Sequence, residues 1–284
     1  FRALTLLQPV GYDRVVPVAP GVEVDFINAG HLLGSSYARV RTNGSTILFG
    51  GDLGRFGRPV LPDPTMVEEA DHLLVESTYG NRVHDKDDDG EKLAQAIKAT
   101  IERGGKVIIP AFAIGRVEEL LYWIKRLEDE RRIPVLPVFV HSPLAPEALR
   151  RHTERVRELD PELQPEERDE KAPHGHADHA DTRERRREHA RRERQLCVFC
   201  TERFRTIAST QESKELTASR TPAIVISSRG MATGGRVLHH LKAALPDPRN
   251  AVLLVGFQAA GTRGRRLVDG EQAIKIHGQM IPVH

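Results

Sequence analysis

Cysteine is almost missing from this chain. Only Cys197 and Cys200 occur in 284 residues. That excludes a disulfide-stapled secreted scaffold and points to a reducing cytoplasm. An excess of charge of one sign is missing as well. Forty-two Lys+Arg stand against 40 Asp+Glu, a formal charge of +2, so a basic surface for nucleic acid has to be local. No apolar run approaches the roughly 18–20 residues of a bilayer span, and no membrane association is expected. The first residues, Phe1 to Pro9, lack the apolar core and cleavage site of a signal peptide. No internal repeat is present. What the chain has is length and core material. With 39% hydrophobic residues it can build one large domain or two smaller ones. It does not begin with methionine, which suggests a piece of a longer protein.

Residues 1–80 carry short β-type runs broken by glycine and proline. Val22 to Ile27 alternates with period two, and Tyr37 to Arg41 does so more weakly. Thr46–Phe49 and His72–Glu76 are apolar runs of buried-strand type. Asn43-Gly44 reads as a tight hairpin turn. From residue 91 the pattern changes to helices alternating with strands. Glu91–Arg103 has helical spacing and stops at Gly104-Gly105. Gly115–Asp129 places Val117, Leu120, Leu121, Ile124 and Leu127 on one face. Strands are expected at 106–110, 137–140, 222–227 and 251–255, with a helix near 235–244. This alternation implies an α/β fold with a mainly parallel sheet covered on both faces.

Five glycine-flanked segments could carry chemistry. His31 lies in Asn28–Ser36 just past a strand, Asp52 follows Phe49-Gly50-Gly51, and Glu76 closes an apolar run before Ser77-Thr78. Imidazole and carboxylate at loop tips suit a divalent metal such as zinc. Each also has an ordinary reading, as a hydrogen-bonded loop histidine, a turn aspartate or a residue beside a helix cap. Three such groups at strand ends would converge on one sheet edge, where α/β active sites lie. The loops Ser227–Arg236 and Gly256–Arg266 combine glycine, hydroxyls and arginine, which suits phosphate. Neither matches a P-loop or a dinucleotide fingerprint.

Taken in order, the strings AGHLLGSS, GGDLGR, VESTYGNR, IPAFAIGRVEELLY, SPLA, SSRGMATGGRVLHHLK and GFQAAGTRGRRL resemble the β-CASP nucleases of the metallo-β-lactamase superfamily. The resemblance covers nearly the whole chain except about 160–200. It implies a partial αββα metallo-β-lactamase domain, residues 1–80, with a β-CASP α/β domain inserted at 81–265. Residues 266–284 would begin the return to the first domain. It also implies an RNA phosphodiester hydrolase holding two zinc ions when complete, with RNA as partner; a homodimer and a cytoplasmic location are further expectations, and the sequence does not fix the oligomeric state. By position, His31 and Asp52 would be metal ligands, Asp52 and Glu76 would be catalytic, and Glu76 would hold a histidine further on. Ser142, Ser228, Arg229, Gly230, Gln258, Thr262 and Arg263 would contact substrate phosphate. The family's HxHxDH and SAHAD motifs are expected outside these 284 residues, so weak or no activity is expected of the chain alone. Departures from the pattern are His141 before SPLA, Arg229 where a small residue is usual, and Asn81 where Asp is common. A metal-free RNA-binding or scaffolding relative is the alternative, and retained His31 and Asp52 speak against it. A hydrolase of small esters is disfavoured by residues 81–265.

Residues 165–194 hold nine acidic and nine basic residues and no aliphatic side chain larger than Ala. They read as an exposed charged helix or a disordered insertion. Within them His174, His176, Asp178 and His179 spell H-x-H-x-D-H, an alternative metal set. No strand precedes it to fix the ligands, so the low-complexity reading is preferred. The run Arg183–Arg194 reads as a solvated helix rather than an RNA contact. Cys197 and Cys200 form a lone C-x-x-C without redox context.

Overall fold

A computed structural model describes residues 5–85, 88–155 and 199–284. They fall into two compact units, one within residues 1–85 and the other within residues 86–284. The candidate metal set at 174–179, the arginine run and Cys197 lie outside the described residues. Cys200 is disulfide-bonded, a departure from the reduced pair that the cysteine count suggests.

The first unit is one five-stranded sheet in chain order: β1 (Val16–Ala19), β2 (Val22–Asn28), β3 (Ser36–Thr42), β4 (Ser45–Phe49) and β5 (His72–Leu74). The β3–β4 hairpin turns at Asn43-Gly44, with Gly44 at φ +94°, the left-handed conformation a tight hairpin requires. Strands β1 to β4 pair antiparallel, and β5 joins β4 in parallel. Two antiparallel steps restore direction, so β2, β4 and β5 all run the same way. Their carboxyl ends therefore share one edge of the sheet. The buried cluster of this unit is small: Ile27, Ala29, Tyr37 and Leu48, with Val67 against it. The buried-strand expectation for His72–Glu76 is corrected. All of β5 is exposed, because it is an edge strand hydrogen-bonded to β4 alone, and no helix of this unit covers it among the described residues. On the same sheet, Asp25 is buried and accepts from Arg39 (2.8 Å) and Arg41 (2.6 Å). Those two guanidinium groups hold its carboxyl below the usual range against the opposing effect of burial.

The second unit is a parallel sheet in the order β10-β6-β9-β7-β8. Its strands are β6 (Val107–Pro110), β7 (Val138–His141), β8 (Phe204–Thr206), β9 (Ile224–Ser227) and β10 (Ala251–Val252). Every residue of β6 and β9 is buried, as a parallel strand packed on both faces requires. Its helices are α1 (Glu91–Glu102), α2 (Arg116–Asp129), α3 (Ala145–Glu154), α4 (Thr210–Ala218), α5 (Val237–Ala244) and α6 (Arg263–Val268). Helix α1 ends where Gly104, at φ +71°, donates to Ile101 and Gly105 donates to Thr100. Helix α2 buries Val117, Leu120, Leu121, Ile124 and Leu127, the stripe read from its spacing. Helix α4 starts in a capping box between Ser209 and Glu212. An antiparallel hairpin, β11 (Ala273–Ile276) with β12 (Gln279–Pro282), packs Ile274, Ile276 and Ile281 into the same cluster as Val237, Leu238 and Leu241 of α5.

Candidate functional site

The three chemical loops of the first unit leave β2, β4 and β5 at their shared edge, and backbone hydrogen bonds tie them together. Asn28 Oδ1 accepts from Gly30 N (3.0 Å), and Ser35 Oγ accepts from His31 N and Leu32 N (3.0 Å each). This fixes the loop carrying His31, with Gly30 at φ +64° against the backbone of Pro64. Gly54 N donates to Ala29 O at 2.8 Å, joining the His31 loop to the Asp52 loop. The approach is so close that a Cβ on Gly54 would sit 2.3 Å from the carbonyl of Gly30.

His31 Nδ1 donates to Leu53 O at 3.2 Å. That bond puts the proton on Nδ1 and leaves Nε2 as a free acceptor, the tautomer a metal-binding histidine uses. From the other side Leu53 N donates to Glu76 Oε1 (3.0 Å), and Thr78 N donates to Glu76 Oε2 (3.2 Å). The Thr78 hydroxyl first, then the Leu53 N–H and the nearby imidazole of His31, hold the Glu76 carboxyl below its usual range. Asp52, next to Leu53, is exposed, and its carboxylate has no hydrogen-bond or ion-pair partner among the described residues. Leu53 is thus the hinge of the site: its carbonyl holds His31 and its amide holds Glu76.

These donors fit a divalent metal in kind, as one imidazole nitrogen and one free carboxylate. They do not fit in number. Among the described residues no group of three or more His, Cys, Asp or Glu could hold an ion.

The other candidates line the carboxyl ends of the parallel strands in the second unit. Ser142 follows β7, Ser228 to Gly230 follow β9, and Gln258 to Arg263 follow β10. Several of these side chains are committed to the scaffold. Gln258 Nε2 donates to Gly230 O and Gly256 O, both at 3.1 Å. Thr262 Oγ1 caps α6 through Arg265 N. Arg263 donates to the carbonyls of Lys275 (2.7 Å), Thr233 (3.1 Å) and Ala232 (3.4 Å). Ser142 Oγ and Gln258 Oε1 are buried and have no hydrogen-bond partner among the described residues. Arg229 is exposed and likewise has no partner there.

Two buried polar pairs escaped the sequence reading. Glu118 on α2 lies 3.7 Å from His152 on α3, and burial pushes its carboxyl up. His141, at the end of β7, and His240 on α5 share a hydrogen bond, Nδ1 to Nε2, of 2.8 Å. The legible signal for the second pair was position. His240 sits at helical spacing from Val237, Leu241 and Ala244, on the buried face. Burial lowers both imidazoles to about 4. Below the ordinary value near 6.5 the unfolded chain takes up protons that the folded chain refuses. Stability therefore falls as pH drops from about 6.5 to about 4, by on the order of 3 kcal/mol for each imidazole taken alone. Urea unfolding between about pH 7 and about pH 4.5 checks this; a midpoint that stays put across that range contradicts it.

Fold and site together define an α/β protein of two sheet-based units, with imidazole and carboxylate groups gathered at one sheet edge and a glycine- and arginine-bearing edge on the parallel sheet. A Beta-Casp domain model matches residues 117–267, and the chain belongs to the Beta-Casp family, in keeping with the motifs it shares with β-CASP proteins of the metallo-β-lactamase superfamily. Relatives agree. The chain is 32% identical over 283 residues to Ribonuclease TTHA0252 of Thermus thermophilus, covering 99% of this chain and 59% of that protein. It is 30% identical over 286 residues to an RNase J-like protein of Methanocaldococcus jannaschii, covering 99% and 60%. It is 29% identical over 284 residues to Transcription termination factor FttA of Methanosarcina mazei, covering 95% and 40%. The chain thus spans no more than about 60% of the length of these relatives. No helix among the described residues is long and apolar enough to cross a membrane.

Proposed function

We infer that the whole protein is a zinc-dependent RNA phosphodiester hydrolase. The observation that carries this is the junction at Leu53, which draws His31, Asp52 and Glu76 to one sheet edge. In this reading His31 offers Nε2 and Asp52 its free carboxylate as two ligands of a dinuclear site. The remaining donors come from parts of the protein beyond these 284 residues, and the isolated chain is weakly active or inactive. Bound metal would supply charge neutralisation at the phosphate and a water of lowered pKa. Glu76 is a positioning residue. As a carboxylate kept anionic by its hydrogen bonds from Leu53 N and Thr78, it holds the loop that carries Asp52. The relatives named as ribonucleases support RNA as the substrate.

The test pairs elemental analysis of the whole protein with cleavage of an end-labelled RNA, before and after chelation. Bound zinc together with cleavage that chelation abolishes and zinc restores is expected. A protein that holds no zinc and leaves RNA intact overturns the reading. RNA binding without metal or cleavage would favour the scaffold alternative instead.

A further inference from the structure

The second unit carries a pair of exposed histidines that the site at Leu53 does not use. His239 lies in the first turn of α5, one residue before the buried His240. His277 sits in the turn of the β11–β12 hairpin. Their ring centres are 4.7 Å apart, with the planes inclined at 48°. Neither ring has a hydrogen-bond partner among the described residues.

Both rings stand on fixed backbone. Ile274, Ile276 and Ile281 of the hairpin share one buried cluster with Val237, Leu238 and Leu241 of α5. Arg263 bridges the two elements, donating to Lys275 O on β11 (2.7 Å) and to Thr233 O ahead of α5 (3.1 Å). His277 takes φ +48° and Gly278 φ +80°, the two positive angles of a tight hairpin turn. Such a turn calls for Asn-Gly or Asp-Gly, so its geometry gives no reason for an imidazole at 277.

The spacing suits shared coordination. A ligating imidazole nitrogen stands about 2.0–2.1 Å from zinc and about 1.1 Å from its own ring centre. Two such rings at about 90–110° around one ion have their centres roughly 4.4–5.2 Å apart, and the observed distance falls inside that span. An inclination of 48° is neither the parallel offset stack nor the edge-to-face contact that aromatic pairs prefer. Two nitrogen donors select a borderline transition ion over magnesium or calcium, which take oxygen. Exposure leaves the other coordination positions to water. We propose that His239 and His277 together chelate a divalent transition ion of the zinc type, which clips the hairpin to α5. The site draws on residues of the second unit alone and does not depend on the hydrolase reading.

Carbethoxylation of histidines at neutral pH, mapped by mass spectrometry on the full chain, tests it with zinc alone as the probe. The readout is residue by residue, so zinc taken up at His31 or at 174–179 does not enter. Zinc is expected to slow modification of His239 and His277 along one saturation curve, about ten-fold when it stands at about ten times Kd. Magnesium should protect neither. His277→Asn keeps a residue suited to the turn and removes the imidazole; zinc should then no longer protect His239. His239→Gln should likewise abolish protection of His277. Melting curves without zinc show that each variant is folded, and either variant alone is sufficient. Zinc should also raise the melting temperature of wild type more than that of either variant. Protection of one histidine that survives loss of the other overturns the chelate, as does a wild type in which excess zinc protects neither. An equal rise in melting temperature in all three proteins overturns the clip.

Discussion

Asp52→Ala is expected to silence the RNA cleavage proposed for the whole protein and to leave its fold in place. The two halves of that expectation have separate causes. Asp52 is exposed and its carboxylate has no partner among the described residues. Its removal strands no buried group, and the melting curve should move by no more than about 0.5 kcal/mol of stability. In the proposed site, however, it is one of only two metal donors that this edge supplies. Losing a ligand should cost more than the roughly 10- to 100-fold that partners behind the ligands cost. Cleavage rate, bound zinc and thermal unfolding measured on the same preparation check this. Retained cleavage in the variant would remove Asp52 from the site. Loss of cleavage with a lowered melting temperature would make its role structural.

Gly54→Ala should do the opposite and damage fold and site together. A methyl group there meets Gly30 C and O at 2.3 Å and Ala29 O at 2.6 Å, all of them main-chain atoms. No side chain can swing away, so the two loops must part. The Gly54–Ala29 hydrogen bond is lost, and His31 is drawn off the carbonyl of Leu53. Overpacking of this kind costs about 1–3 kcal/mol and often more. We expect a clear fall in melting temperature and loss of cleavage, whereas alanine at Gly57, where nothing lies within 4 Å of a Cβ, strains the local turn (φ +67°) without touching the junction. A Gly54→Ala protein with wild-type stability and activity would show that the contact of the two loops is not what builds the site.

Much of this was legible in the residue pattern, for identifiable reasons. The stripe Val117, Leu120, Leu121, Ile124 and Leu127 reports one buried face, and that helix formed there; period two in Val22–Ile27 marks its strand, but Val22, Val24 and Phe26 are only half-buried, while Asp25, paired to Arg39 and Arg41, and Ile27 are the buried residues. Asn43-Gly44 marked its hairpin because a two-residue turn needs positive φ. The run His72–Glu76 misled because apolar residues in a row look the same in a central strand and at an uncovered edge. The buried histidine pair was out of reach for another reason. His141 and His240 are 99 positions apart, and nothing local to either names its partner.

The candidate site divides in the same way. By itself the sequence determined that His31, Asp52 and Glu76 each sit in a loop just past a strand, because glycine placement and hydrophobic period are local properties. Only the tertiary structure decided that the three strands run in one direction, with β5 parallel to β4, and that Leu53 offers its carbonyl to one loop and its amide to another. Strand direction and pairing are fixed by hydrogen bonds between residues far apart in the chain, and a local pattern of apolar residues is the same whichever way its strand points.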